Sequence, residues 1–219
     1  MKEDGYRWWK NRFKALEQYF DAMRIDHILG FFRIWEMPES HVEGLMGHFN
    51  PSLPVYKNEM YEKGIPFDFY RFCTPFIRDY MLNPIFGDLA QFIKDNYLVE
   101  YEQGKFYIRQ EFDTQRKVED SLNFSPSDTQ EERNRKEKIR NGMFILISEV
   151  LFIEVKNSNG EAFTPRHSLY NTYSFNEFGG DVKHKIMELY NDYFFRRNEQ
   201  FWKQQAMIKL PAIKNATNM

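Results

Sequence analysis

Phe20-Asp21-Ala22-Met23-Arg24-Ile25-Asp26-His27-Ile28-Leu29-Gly30-Phe31-Phe32-Arg33-Ile34-Trp35-Glu36-Met37-Pro38 lies near the start of a 219-residue chain. Ala22 to His27 is short and contains β-branched Ile25, so it reads as a buried strand. Gly30 breaks it, and an aromatic run through Trp35 continues to Pro38. Upstream, Trp9, Phe13, Leu16 and Phe20 recur at helical spacing, with Arg12, Lys14 and Glu17 between them on the polar side. Helix, then strand, then polar residues at the strand's end is the local pattern of an α/β protein. On a strand, Arg24 and Asp26 project to the same face. A guanidinium beside a carboxylate favours its ionised form. An ionised, positioned carboxylate is what covalent attack on a sugar's anomeric carbon needs. His27, where the strand opens into a loop, is placed to hydrogen-bond a sugar hydroxyl. The same four residues serve as well for an ordinary Arg–Asp ion pair at a strand end.

Further along, Pro38 to Pro66 is punctuated by Pro and Gly and reads as a loop-rich excursion. Ile77 to Tyr97 reads as a helix in two pieces, broken at Pro84 and Gly87. Leu98–Tyr101 and Lys105–Ile108 flank Glu102-Gln103-Gly104 as a hairpin. Asp113 is a candidate cap for a helix from Thr114 to Asn123. Asp128 or Thr129 would cap a charged helix reaching about Ser148. The charge run Glu131 to Arg140 interleaves both signs, the mark of a solvated helix face rather than a nucleic-acid patch. Val150 to Val155 and Ala162–Thr164 pair across Asn157-Ser158-Asn159-Gly160. Asp181 is the expected cap of a helix striped by Val182, Ile186, Leu189, Tyr190 and Tyr193, with Arg196 and Arg197 in its last turn. A second helix from Glu199 ends at Pro211.

Composition narrows the function classes. Apolar residues make 42% and charged residues 28%, enough for a packed core. A net charge of −2 disfavours a nucleic-acid binder with a dominant basic face. No apolar run is long enough to span a bilayer. The single Cys73 excludes an intrachain disulfide and a cysteine-rich metal site, and suits a reducing cytoplasm. His41 and His48 lie among glycines and read as loop histidines rather than zinc ligands. Arg166 reads as a sugar or carboxylate contact, or as a structural ion pair. Aromatic residues reach 18% (22 Phe, 13 Tyr, 4 Trp), which predicts either a ring-filled core or a surface for flat apolar ligands.

The segment from Phe20 to Pro38 closely resembles the nucleophile region of the 4-α-glucanotransferases, the amylomaltases or disproportionating enzymes. Tyr6-Arg7-Trp8-Trp9 and Arg12-Phe13 are similar to that family's preceding helix. Arg24-Ile25-Asp26-His27 falls on its Arg-x-Asp-His motif, with Gly30, Phe31, Trp35 and Pro38 in the places that follow. Ile28-Leu29 departs from the Phe-Arg of many bacterial members. It resembles instead a branch, including the plant cytosolic enzyme, that carries a long insertion after the nucleophile. Phe106–Glu119, Phe163–Arg166 and Tyr173-Ser174 are similar to that insertion. Tyr190–Arg197, Phe201-Trp202, Lys209–Ala212 and Ala216–Met219 resemble the return to the barrel.

The resemblance implies a partial (β/α)8 barrel segment with a mostly helical insertion containing short hairpins. Residues 1–38 would be the barrel helix and nucleophile strand, 39–180 the insertion, and 181–219 the helices returning to the barrel. It implies Asp26 as nucleophile, Arg24 holding it ionised, and His27 and Trp35 binding substrate, with core packing the plainer reading of Trp35. The substrate would be maltose, maltooligosaccharides or a glucan, with no metal and no cofactor. The family's second carboxylate sits in a Glu-Asp-Leu-Gly motif that this sequence lacks, because Glu119-Asp120 is followed by Ser121. The expectation is an internal piece of a larger cytoplasmic enzyme, inactive alone, whose exposed rings favour self-association. A complete barrel of this kind typically takes ~250 residues. A non-catalytic glycan-binding or protein-interaction module is the alternative.

Overall fold

The computed structural model describes residues 4–215. Ala216–Met219, likened above to the barrel return, lie outside the described residues. The chain mixes helices with short strands and divides into two compact units. One holds 1–36, 49–53 and 191–219, and the other holds 37–48 and 54–190.

In the first unit the expected helix forms over Arg7–Leu16. Its apolar stripe buries Phe13, with Trp9, Leu16, Met23, Ile25 and Phe31 packed around it. Phe20 lies beyond the helix end and is exposed. Ala22 to His27 does not form a strand. A strand is made by its neighbour, and among the described residues no segment pairs with it. Its alternation survives: Met23 and Ile25 turn toward Phe13, and Arg24 and Asp26 turn to solvent. A 3-10 turn, Ile28–Phe31, follows, then the short strand Ile34–Glu36.

The C-terminal helix Asn198–Lys214 is the other support of this unit, and it runs through Pro211 instead of ending there. So near the helix end, proline forfeits little of the ladder. Asn198 is fully buried and fully used. Its Oδ1 accepts from the Leu53 amide at 2.6 Å. Its Nδ2 donates to the carbonyls of Leu53 (3.2 Å) and Tyr193 (3.0 Å). Trp202 Nε1 donates to the Pro51 carbonyl at 2.7 Å, and the Tyr193 and Ser52 hydroxyls lie 3.2 Å apart. Arg196 and Arg197 occupy a π turn, Tyr193–Arg197, rather than the end of an α-helix, and both pair with Asp192.

In the second unit the charged helix Gln130–Ile147 is capped by Thr129, whose hydroxyl accepts from the Glu132 amide, while the Glu132 carboxylate accepts from the Thr129 amide. Its C-terminal half buries Ile139, Met143, Phe144, Leu146 and Ile147 against the two-piece helix Asp79–Phe86 and Ala90–Tyr97. Gly87 makes the break at φ 56°. Ile77-Arg78, expected in the helix, instead forms an edge strand on Lys105–Ile108. The predicted hairpin, Leu98–Glu102 with Lys105–Ile108, turns at Gly104 with φ 70°. Thr114, not Asp113, caps the helix Gln115–Leu122. Buried Gln115 Oε1 accepts from the amides of Val42 (2.8 Å) and Glu43 (2.9 Å), holding the loop after Pro38. Phe152–Glu154 pairs with Ala162–Pro165 as expected, and Val55-Tyr56 adds a third antiparallel strand. The region before Pro66 is less irregular than its prolines suggest: burial of Val55 and Met60 stabilises that strand and the helix Lys57–Glu62. Asp181 sits inside the first turn of Gly180–Asp192, paired with Lys185, rather than capping it.

Gly142 faces Phe86 so closely that a Cβ there would overlap the ring, whereas Gly179 has open space around it. Gly142→Ala should lower unfolding stability by about 1–3 kcal/mol in urea titration. Gly179→Ala should leave the midpoint within about 0.5 kcal/mol of the native value.

Candidate functional site

Arg24 and Asp26 are both exposed on an irregular stretch that bends at Asp26, and partly buried Met23 and Ile25 alternate with them toward the core. Arg24 Nε lies 2.5 Å from Asp26 Oδ1, and the side chains are 89% and 75% exposed. Such an open pair is worth at most about 1 kcal/mol, so it is not a structural staple. One Asp26 oxygen is held by the guanidinium, and the carboxylate stands open to a ligand. His27 caps the 3-10 turn through its carbonyl, which accepts from the Gly30 amide at 3.1 Å. Its ring, exposed, lies over Gly30 where a Cβ would intrude. The three residues Arg24, Asp26 and His27 are thus neighbours on an open segment.

Trp35 lies in an aromatic stack. Its ring is 4.8 Å from Phe49, edge to face, and Phe49 is in turn 4.8 Å from Trp202. The Arg33 guanidinium caps Phe49 and Trp202 at 5.1 and 4.9 Å. Trp35 keeps partial exposure, so one part of the ring packs while another meets solvent.

No group of three or more metal-ligating side chains occurs among the described residues. His41 is half-buried beside Ser40, its Nδ1 3.1 Å from the hydroxyl, and burial lowers its pKa. Burial pushes the Cys73 thiol up to about 12, with Glu154 and Asp68 adding to the effect, so it is a poor nucleophile. No helix among the described residues is long and apolar enough to cross a membrane.

A buried polar cluster was only partly legible. Arg166, expected near a sugar or a carboxylate, is buried within electrostatic reach of Glu149. Its guanidinium donates to the carbonyls of His167 (3.2 Å) and Ser168 (3.1 Å). Glu149 Oε2 accepts from the Ser174 amide at 3.2 Å. Arg71 donates to both the hydroxyl and the carbonyl of Ser174. Ser174 lies in the short helix Tyr173–Asn176, and a lone serine carries no sequence signal for this role. Burial raises the Glu149 pKa to about 7, against opposing pulls from the Ser174 amide, Arg166, the Tyr173 amide and Arg71.

Similarity to known proteins bears on these residues. The sequence profile of the family described as 4-alpha-glucanotransferase matches residues 1–214. The chain is 35% identical over 219 residues to 4-alpha-glucanotransferase DPE2 of Oryza sativa subsp. japonica, covering 100% of the chain and 23% of that relative. It is 37% identical over 54 residues to the 4-alpha-glucanotransferase of Chlamydia trachomatis serovar D, covering 25% of the chain and 10% of the relative. A chloroplastic/amyloplastic 4-alpha-glucanotransferase of Solanum tuberosum is 33% identical over 58 residues, covering 26% of the chain and 10% of the relative. The chain thus spans less than a quarter of the rice protein's length. No solved structure matches it.

Glu149 generates a pH prediction. Its folded pKa of about 7 lies above the ordinary 4.5, so its ionisation opposes folding. Stability should fall as pH rises from about 4.5 to about 7, by on the order of 3 kcal/mol relative to Glu149→Gln. Paired urea titrations across that range check it, the variant giving the flatter curve.

Proposed function

We propose, from the premise that the chain belongs to the 4-alpha-glucanotransferase family, that it carries the nucleophile of a retaining glucan-transferring enzyme. The observation that carries this is the outward, exposed Arg24–Asp26 pair. An Asp26 oxygen attacks the anomeric carbon of an α-1,4-linked glucose as the bond to the leaving sugar breaks. A second carboxylic acid protonates that leaving oxygen. It then takes the proton of an acceptor hydroxyl, which displaces the glycosyl ester and regenerates Asp26. Arg24 holds the other Asp26 oxygen and aims the carboxylate. His27 binds sugar hydroxyls. Trp35 offers its open ring area to a sugar face.

Maltose, maltooligosaccharides or a longer glucan are the proposed substrates, in keeping with the relatives' names. The lone Cys73 suits a reducing cytoplasm. In this reading residues 1–38 and 181–219 belong to a (β/α)8 barrel and 39–180 to an insertion. Support comes from the grouping of 1–36 with 191–219 in one compact unit. Within the barrel, Ala22–His27 gains the parallel neighbours that make it a strand. Retaining chemistry needs two carboxyl groups about 5–5.5 Å apart, and the sequence contains no Glu-Asp-Leu-Gly. The chain alone is therefore inactive in this reading. Exposed Trp8, Tyr19, Phe20, Phe195 and Met207 favour self-association when the chain is isolated.

In the full-length enzyme, Asp26→Asn should lower kcat for glucosyl transfer from maltose by about 10³-fold or more. In the isolated chain, where the pair is open, the same substitution should change stability by less than about 1 kcal/mol. The isolated chain should release no glucose from maltose. Transfer by the isolated chain, lost in Asp26→Asn, would refute its inactivity. Unchanged kcat in the full-length variant would refute the nucleophile.

A further inference from the structure

Two adjoining hollows in the unit formed by 37–48 and 54–190 are lined by rings that the core leaves out. The larger, about 390 Å³, is bounded by Lys57, Tyr61, Asp68, Phe69, Tyr70 and Asn159. The smaller, about 190 Å³, shares Asp68 and Tyr70 with it and extends past Tyr101 and Tyr107. Tyr70 is 71% exposed and Tyr61 50% exposed. Tyr101 and Tyr107 stack nearly parallel, with centroids 4.0 Å apart and planes at 15°, and each remains about half-exposed.

We propose that this surface, centred on Tyr70, is a second glucan-binding site, carried by residues outside the Asp26 segment. The choice of an α-1,4-glucan rests on the family reading given above. The chemistry of the lining supports a sugar. Tyrosine offers a flat apolar face and a polar tip, which matches a pyranose with its CH face and its hydroxyl edge. Asp68 supplies an acceptor, Lys57 a donor and Asn159 both. One cation and one anion in the larger hollow favour no charged ligand. In the smaller hollow, Arg71 is already committed to Ser174, and Arg78 donates to the Ile77 carbonyl at 2.9 Å. A neutral polyhydroxylated ligand fits better than a phosphate or a carboxylate. Two hollows in series suit an oligomer rather than a single sugar.

The positions of the rings are supported. Asp68 caps the helix Phe69–Cys73, its Oδ1 accepting from the Arg71 amide at 2.8 Å. Phe69 leans on buried Phe163, with centroids 6.3 Å apart. Tyr61 reaches the Phe67 carbonyl with its hydroxyl at 3.4 Å. The ligand therefore meets a surface that is already arranged, which lowers the entropy lost on binding.

The test is titration of the full chain with maltoheptaose, followed by NMR shifts and calorimetry. Saturable binding is expected. Tyr70→Ala should weaken it about tenfold or more, and Tyr70→Phe should stay within about threefold of the native chain. Asn159→Gly, on a different element and compatible with the φ of 53° there, should weaken it in the same direction, which guards against a folding defect in the helix variant. Gly179→Ala, in open space outside both hollows, should bind as the native chain does. Absence of binding, native-like binding by Tyr70→Ala, equal loss in Gly179→Ala, or equal binding of cellohexaose would overturn the proposal. Failure of the family reading shows separately, as unimpaired transfer by full-length Asp26→Asn, and it leaves the Tyr70 comparison intact.

Discussion

Ser174 is the point on which much of the larger unit turns. Its amide meets Glu149, and its hydroxyl and carbonyl meet the Arg71 guanidinium. Arg71 also lies over the rings of Phe76 and Phe178, at 4.3 and 4.4 Å. One side chain thus joins a helix, a turn and two aromatic rings. Phe69–Cys73 has only five residues. Helices that short do not persist on their own propensity. The Asp68 cap and the Arg71 anchor hold it in place. Backbone contacts extend the same junction: the Phe76 amide donates to the Glu149 carbonyl and the Leu151 amide to the Phe72 carbonyl, each at 2.8 Å. The arrangement comes at an electrostatic cost, since Glu149 is buried and its charged form is disfavoured.

What could be read in the residues follows from how far each signal reaches. The helix Arg7–Leu16 depends on a local period, and Trp9, Phe13 and Leu16 display it. The helix Gln130–Ile147 depends on Thr129 and Glu132, three residues apart. Gly104 and Gly160 adopt positive φ in the turns where hairpins were expected. Ala22–His27 differs because a strand is a relation between segments. Its composition suits a sheet, but nothing among the described residues pairs with it. Pairing of Ile77-Arg78 with Lys105 and Phe106 was illegible for the same reason, since no local signal names a partner about thirty residues away.

The candidate site shows a similar split. Arg24, Asp26 and His27 were legible because they fall within four consecutive residues, so chain connectivity alone keeps them together. Trp35 was read as a sugar contact, and the structure gives it packing partners in Phe49 and, beyond it, Trp202. Phe49 lies in a stretch that looked like punctuation between prolines. The hollow around Tyr70 was foreshadowed only by the aromatic excess, which could not say which rings are core. Phe72, Phe86 and Phe163 are fully buried, while Tyr70, two residues before Phe72 and so on the opposite side of its helix, is not.

The bonds of Asn198 to Leu53 join residues 145 apart in the chain. Trp202 and Pro51 are 151 apart. A ribosome adds about 5–20 residues per second, so the 49–53 segment waits roughly 7–30 s for its partner to be made. During that interval the 54–190 stretch emerges with its own core complete in sequence. The inner unit can therefore fold first, while Trp35 and Phe49 stay wet and open to capture by chaperones. A codon-level pause placed before Asn198 would lengthen that exposure.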